Sequence, residues 1–176
     1  MALKTRRATA EDLPAITEIY NEAILTTDAT FDTDTKSLAE QKAWFGDHGE
    51  RNPILVAVLD GAVRGWASLS KWSTRCAYAD TAEVSVYVKQ EYRAQGIGKR
   101  LMRDVLDAGQ AAGLHAVLSR ITAGNDVSIR LHDEMGFEHI GVMKEVGNKF
   151  GKTLDVVMMQ KLYPPAYRPG RKKAKQ

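Results

Sequence analysis

Two stretches of this sequence combine residue types that can do chemistry together. The first is Glu83-Val84-Ser85-Val86-Tyr87-Val88, which runs on into Tyr92-Arg93-Ala94-Gln95-Gly96-Ile97-Gly98-Lys99-Arg100. A strand that feeds a glycine-bearing turn and then a helix presents unpaired backbone N–H groups at the positive end of the helix dipole, which makes a cradle for an anion. Gly96 and Gly98 keep side chains out of that cradle, while Arg93, Lys99 and Arg100 surround it with positive charge. Strand alternation puts Glu83, Ser85 and Tyr87 on one face and valines on the other, an unusual setting for a carboxylate. The second stretch is Asn125-Asp126-Val127-Ser128, with His132 one helical turn further on. An imidazole with its ordinary pKa of ~6.5 can donate or accept a proton at neutral pH.

Several chemistries drop out at once. No Gly-Lys-Ser/Thr triplet follows the glycines, so the loop is not a Walker A motif, and Leu101 stands where the dinucleotide fingerprint needs a third glycine. His48, His115 and His139 have no partners at metal-ligand spacing, so no metal site is expected. Cys76 is the single cysteine; it cannot form a disulfide within the chain, and only Arg75 beside it would lower its pKa. A lone loop thiol fits a reducing cytoplasm.

The elements that position these groups can be read from periodicity. A chain of 176 residues with 44% hydrophobic content suits one domain with its own core. Leu3 to Arg7 reads as a strand, and Thr9 to Asp12 as a capping-box start for a helix carrying Leu13, Ile16, Ile19, Tyr20 and Ala23. A second helix is expected over Ser37 to Gly46. Strands follow at Ile54–Leu59, Val63–Leu69 and Thr81–Val88, the first two joined at Asp60-Gly61. Ile97, Leu101, Val105 and Ala108 mark a helix stopped at Gly113, then come a strand at Ala116–Thr122, a helix over Asn125–Met135 and strands at Glu138–Lys144 and Leu154–Leu162. The order β α α β β β α β α β β describes an α/β domain over residues 1–163. Residues 164–176, with two adjacent prolines and five basic residues, read as a solvated, disordered tail. The tail carries more than the net charge of +3, so the body is slightly acidic and nucleic acid is not an expected partner. The longest apolar run, Ile54 to Leu59, is far too short to cross a bilayer, and the charged N-terminus has no cleavable leader pattern. A cytoplasmic protein is expected.

The spacing Arg93-x-x-Gly96-x-Gly98 resembles the Arg/Gln-x-x-Gly-x-Gly/Ala signature of the GNAT superfamily of N-acetyltransferases, whose loop holds the pyrophosphate of coenzyme A. Asn125 to Phe137 resembles the next element of that family, an Asn-led helix closed by a Gly-Phe pair. Ile19-Tyr20-Asn21, Ala29-Thr30-Phe31, Arg75 to Tyr78, Glu83 to Val88, Leu131-His132, Val146 to Gly151 and Leu154 to Val157 are similar to the phosphinothricin N-acetyltransferase branch. The resemblance covers roughly residues 4 to 163. It implies a GNAT fold: a central mixed, mostly antiparallel sheet, splayed at a β-bulge in the Thr81–Val88 strand, with helices on both faces. The implied reaction moves acetyl from acetyl-CoA to the α-amino group of a small amino acid or analogue, of the phosphinothricin, methionine sulfoximine or methionine sulfone type. Relatives in the branch are commonly homodimers.

The roles implied by the resemblance fall on named residues. The backbone of Val86, Tyr87 and Val88, the loop Arg93, Ala94, Gln95, Gly96, Ile97, Gly98 and Lys99, and the side chains of Asn125 and Ser128 would hold the cofactor. Acetylation needs the ammonium to lose a proton, which makes Glu83 the expected base. His132 stands where many relatives have a tyrosine, as the acid for the departing thiolate or as a second base. Phe31, Ser73, Thr74, Arg75, Tyr78, Glu83 and Ser85 would contact the acceptor, with Arg75 gripping its carboxylate and Trp72 and Phe150 as further walls. The sequence departs from the branch at Ala79-Asp80, in place of an aromatic stretch, and at Thr153, in place of a tryptophan. Two other readings remain open: acetylation of a protein N-terminus or lysine, and a domain that binds acyl-CoA without turnover.

Overall fold

A computed structural model describes residues 3–164. Apart from Pro164, the expected tail lies outside the described residues. The elements are β1 (Lys4–Arg7), α1 (Leu13–Thr26), α2 (Leu38–Gly46), β2 (Ile54–Leu59), β3 (Ala62–Lys71), β4 (Thr81–Val88), α3 (Ile97–Ala111), β5 (Ala116–Thr122), α4 (Asp126–Glu134), β6 (Glu138–Lys149) and β7 (Lys152–Leu162). Their order is the one periodicity predicts. They form a single seven-stranded sheet in the order β1-β2-β3-β4-β5-β7-β6, antiparallel throughout except between β4 and β5.

Alternating side chains divide the core between the two faces of the sheet. Leu55, Ala57, Ala67, Leu69, Val84 and Val117 meet the apolar stripe of α3, formed by Ile97, Leu101, Met102, Val105 and Leu106. On the other face Val56 and Trp66 pack with Ile54 against Ile16 and Ile19 of α1. The helix starts are chemically specified. The Asp12 carboxylate accepts the Thr9 N–H at 2.8 Å just ahead of α1, and Ser37 and Glu40 exchange capping bonds at the start of α2. Gly65 of β3 lets the sheet approach α3, since a Cβ there would lie 2.9 Å from the Tyr87 carbonyl and 3.1 Å from Leu101.

The feature that matters most for function is where the sheet opens. β3 and β4 stay in unbroken register from Lys71–Ala82 to Gly65–Val88. β5 pairs with β4 only at Thr81, Ala82 and Glu83, and the two strands part beyond that point. The opening thus arises from divergence of two parallel strands, and the bulge expected in β4 does not show as a register shift against β3. Among the described residues the edge of β4 facing β5 has no strand partner from Val84 to Val88.

The last hairpin is longer than periodicity suggests. Strands expected to stop at Lys144 and restart at Leu154 instead continue to Lys149 and restart at Lys152, turning at Phe150-Gly151, both with positive φ. Two register breaks, at His139/Gly141 and Met143/Gly147, disrupt the alternation of β6 and hide it in the sequence. Among the described residues no helix is long and apolar enough to cross a membrane.

Candidate active site

The turn after β4 builds the anion cradle. Ala94 and Gly96 both take positive φ, 60° and 80°, and Gly96 caps the N-terminus of α3. For Ala94 this costs about 1 to 2 kcal/mol, strain of a kind that tends to gather at ligand sites. The first-turn N–H groups of α3 lack helical acceptors and aim along the positive end of its dipole. Arg93 folds back, its Nε donating to the Val88 carbonyl at 3.1 Å, and Gln95 donates to the Glu91 carbonyl. Lys99 reaches α4 and pairs with Glu134 at 2.8 Å. Its charge is therefore shared, and Arg100 is likewise paired with Asp104.

The open edge of β4 and this cradle are continuous in the chain, as a linear ligand with an amide-bearing arm and a phosphate end requires. A diphosphate fits the N–H cradle, and a pair of amides fits the strand-free edge of Val84 to Val88, where Arg93 already takes the Val88 carbonyl. Gly98 adds nothing to obstruct the approach, since a Cβ there would make only ordinary contact with Val88. Asn125 has a more local task than its sequence position suggests, because its Oδ1 caps α4 by accepting the Ser128 N–H at 3.2 Å. Its amide N–H₂ has no hydrogen bond among the described residues.

Glu83 and His132 lie on opposite faces of the sheet. Glu83 shares its face with Ser85 and Tyr87, and across β3 with Ser70, Ser68 and Trp66. His132 is buried on the α3 side against Phe137, and its Nε2 meets the Oγ of Ser119, a β5 residue whose side chain points to that side. Its Nδ1 is 2.7 Å from the Ser128 carbonyl and therefore carries the proton, so Nε2 accepts from the Ser119 hydroxyl. Burial pushes this imidazole below its ordinary pKa. A neutral ring with both nitrogens engaged is poorly set up to donate a proton.

The same arrangement recurs at His48, whose Nδ1 donates to the Trp44 carbonyl and whose Nε2 accepts from Ser70. Burial lowers this pKa as well. The unfolded chain protonates both imidazoles as the pH falls through ~6.5, whereas the folded chain resists. The stability these two groups contribute is therefore complete above that pH and is lost below it, by at most about 1.4 kcal/mol per pH unit for each. Urea midpoints are expected to drop between pH 7.5 and 5.5, and a His48→Asn/His132→Asn double variant should show a shallower decline over the same window.

Beside Glu83 a cavity of about 290 Å³ opens between α1, α2 and the β3–β4 pair. Its walls include Tyr20, Asp32, Lys36, Trp66, Ser85 and Tyr87. The Tyr20 hydroxyl donates to Asp32 at 2.6 Å and meets Thr30 at 3.0 Å. Burial raises the pKa of Tyr20, and it pushes that of Tyr87 to about 12, so both phenols stay neutral. The buried Trp66 Nε1 has no hydrogen-bond partner among the described residues.

Of the residues expected to contact the acceptor, Ser85 lines this cavity and Glu83 stands opposite its lining residue Ser70 on the same face, whereas Phe31 packs over Gly147 of β6. Ser73, Thr74, Arg75 and Tyr78 sit on the exposed loop between β3 and β4, which leaves the sheet at the Glu83 end. Ser73 Oγ caps the Arg75 N–H, and the Arg75 guanidinium has no ion pair among the described residues. What the sequence reading missed is Arg120. It grips Glu83 with two parallel bonds, Nε to Oε1 and Nη2 to Oε2, each 2.6 Å. A charged residue in the strand Ala116 to Ile121, where only Ser119 is otherwise polar, was the available signal, the same kind that marks Glu83.

The acetyltransferase (GNAT) family model matches residues 14–137. An L-methionine sulfoximine/L-methionine sulfone acetyltransferase of Pseudomonas aeruginosa is 40% identical over 162 residues, 91% of this chain and 94% of the relative. A phosphinothricin N-acetyltransferase of Streptomyces coelicolor is 34% identical, over 90% of this chain and 95% of its own. The crystal structure of a GNAT superfamily phosphinothricin acetyltransferase from Sinorhizobium meliloti, in complex with acetyl-CoA, superposes with a TM-score of 0.89 at 36% identity, covering 95% of each chain.

Proposed function

The chain belongs to the GNAT acetyltransferase family, and from that premise we propose that it acetylates the α-amino group of a small amino acid or analogue of the methionine sulfoximine, methionine sulfone or phosphinothricin type. It is an acyltransferase, and its co-substrate is acetyl-CoA. The observation that carries this reading is the sheet that opens beyond Glu83, with an anion cradle at one end and a polar cavity beside the carboxylate. A small cavity of mixed polarity suits a free amino acid better than a protein segment, which would need an open groove.

When bound, acetyl-CoA supplies the thioester whose carbonyl the acceptor nitrogen attacks. The residues of the chain do the rest. First-turn N–H groups of α3 and the Gly96 turn hold the diphosphate, and the backbone of Val86, Tyr87 and Val88 holds the arm as an added strand. A β4 N–H is placed to polarise a carbonyl lying in the gap. Glu83 takes the ammonium proton, directly or through one water. His132 acts as a neutral acceptor that fixes Ser119, in preference to the proton-donor role. Ser85 and the cavity walls, which include the hydroxyls of Ser68 and Ser70, receive the acceptor side chain.

Gly96 offers a direct check on the cradle. Its φ of 80° disfavours any side chain, although open space surrounds the position. Gly96→Ala is therefore expected to cost about 1 to 2 kcal/mol in loop conformation, raising the KM for acetyl-CoA about tenfold with little change in kcat.

The same reading extends to a homodimer in the cytoplasm. Ile140, Val142, Val146 and Phe150 on the sheet-edge strand β6 and its turn are about half exposed, more apolar surface than one edge strand normally leaves uncovered. Light scattering at twice the chain mass supports the dimer, and the chain mass alone refutes it. The reaction is tested by acetyl-CoA-dependent thiol release with phosphinothricin, methionine sulfoximine, methionine sulfone, ordinary amino acids, polyamines and N-terminal peptides as acceptors. Selective turnover of the amino-acid analogues is expected, whereas turnover confined to peptides or polyamines overturns the acceptor class. Tight acetyl-CoA binding without turnover of any acceptor favours a binding domain.

A further inference from the structure

Glu83 and Arg120 form a paired set of opposite charges across the mouth of the open sheet. The last β4–β5 pair is Glu83 with Leu118, and Arg120 lies two residues further along β5 on the same face. Its side chain reaches back over the gap to take both carboxylate oxygens of Glu83. The guanidinium lies 5.7 Å from the ring centre of Trp72, at the root of the exposed loop, and the Arg120 side chain is half exposed. Nε and Nη2 face Glu83, and Nη1 has no partner among the described residues.

A free α-amino acid is itself a pair of opposite charges on one carbon. Its ammonium needs a carboxylate that will accept a proton, and its carboxylate needs a planar donor beside that base. We propose that Arg120 is a specificity-determining residue that binds the acceptor's α-carboxylate beside Glu83, so that the Glu83–Arg120 pair selects zwitterionic α-amino acids. The inference rests on the reading of Glu83 as the base. Arg75, the arginine the sequence points to, sits in an exposed loop and its guanidinium has no ion pair among the described residues, whereas Arg120 is already oriented by Glu83 and Trp72. A guanidinium held in place in advance loses less freedom on gripping a second carboxylate.

The test compares L-methionine sulfone with its α-carboxamide, which keeps the side chain and the amine but removes the anion. For the wild-type enzyme the acid is expected to exceed the amide in kcat/KM by about 10- to 100-fold, the range for a charge-assisted hydrogen bond. In Arg120→Met the ratio should fall to within about threefold, with Arg120→Lys in between. The ratio is compared at about pH 9.5, where the amines of both acceptors are mostly deprotonated in solution, so that an effect of the substitution on Glu83 as a base weighs little on either. Calorimetric binding of the two acceptors to the enzyme–CoA complex gives a readout independent of turnover, in which Arg120→Met is expected to lose affinity for the acid alone.

An unchanged ratio in Arg120→Met, equal affinity of wild type and Arg120→Met for the acid, or collapse of the ratio in Arg75→Met with Arg120→Met unaffected each overturns the inference. Glu83→Gln separates the two claims. If it retains wild-type kcat while Arg120→Met still loses the ratio, the base assignment fails and the carboxylate assignment stands. If it abolishes turnover while Arg120→Met keeps the ratio, the base stands and the inference fails.

Discussion

Glu83→Gln is expected to lower kcat by about 10²- to 10⁴-fold, the usual worth of a positioned general base, while acetyl-CoA binds about as before. Glutamine keeps the length of the side chain and one acceptor oxygen for Arg120, but it cannot take a proton. The carboxylate side chain is about one-fifth exposed and its arginine partner half exposed, so losing the ion pair removes at most about 1 kcal/mol of stability and the variant folds. The signature lies in the pH profile. As the pH rises through the range where the acceptor amine deprotonates in solution, the variant no longer needs a base, and its deficit should shrink. A single-turnover measurement at pH 7 and again at pH 9.5 reads both effects. A kcat within about threefold of wild type at pH 7 would sink the assignment.

Leu101→Ala carries the largest expected loss of stability. Leu101 is fully buried on the inner face of α3, between the helix that presents the anion cradle and the part of β3 where Gly65 allows close approach. Truncating such a side chain typically costs 2 to 5 kcal/mol, because the transfer energy is lost and the cavity only partly collapses. For a chain of this size each kcal/mol moves the melting temperature by about 2 to 4 °C, so a fall of about 4 to 20 °C is expected in calorimetry. The KM for acetyl-CoA should rise as well, since the N-terminus of α3 is seated by this contact. A loss below about 1 kcal/mol would mean that α3 is held elsewhere.

The fold was largely legible in the sequence. Its signals are local: Asp60-Gly61 sets a two-residue turn, Ser37 and Glu40 cap a helix, and the stripe from Ile97 to Leu106 repeats at helical spacing. The site was legible where one segment carries it, as in the strand from Glu83 to Val88 and the turn at Gly96. It was hidden where distant segments combine. Arg120 is 37 residues from Glu83, and no periodic rule links them. The cavity is made by Tyr20, Trp66 and Tyr87 from three elements, each of which reads as ordinary core when taken alone. The resemblance pairs Glu83 as base with His132 as acid or second base; strand alternation at Ser119 places the histidine on the opposite face of the sheet. β6 was cut short because Gly141 and Gly147 interrupt its alternation, although Gly147 is the residue that makes room for the Phe31 ring.

The loop between α1 and α2 is fastened from the far end of the chain. The buried Lys149 ammonium donates to the Thr30 carbonyl at 2.8 Å across 119 positions, Thr122 donates to Asp28, and Phe31 rests on Gly147. On a ribosome adding about 5 to 20 residues per second, Thr30 leaves the peptidyl centre some 6 to 24 seconds before its anchor is made. The turn at Gly96 is complete well before that. The wall proposed to receive the acceptor is therefore fastened after the proposed cofactor cradle, and on that reading a nascent chain acquires its nucleotide end before it is able to choose an amine.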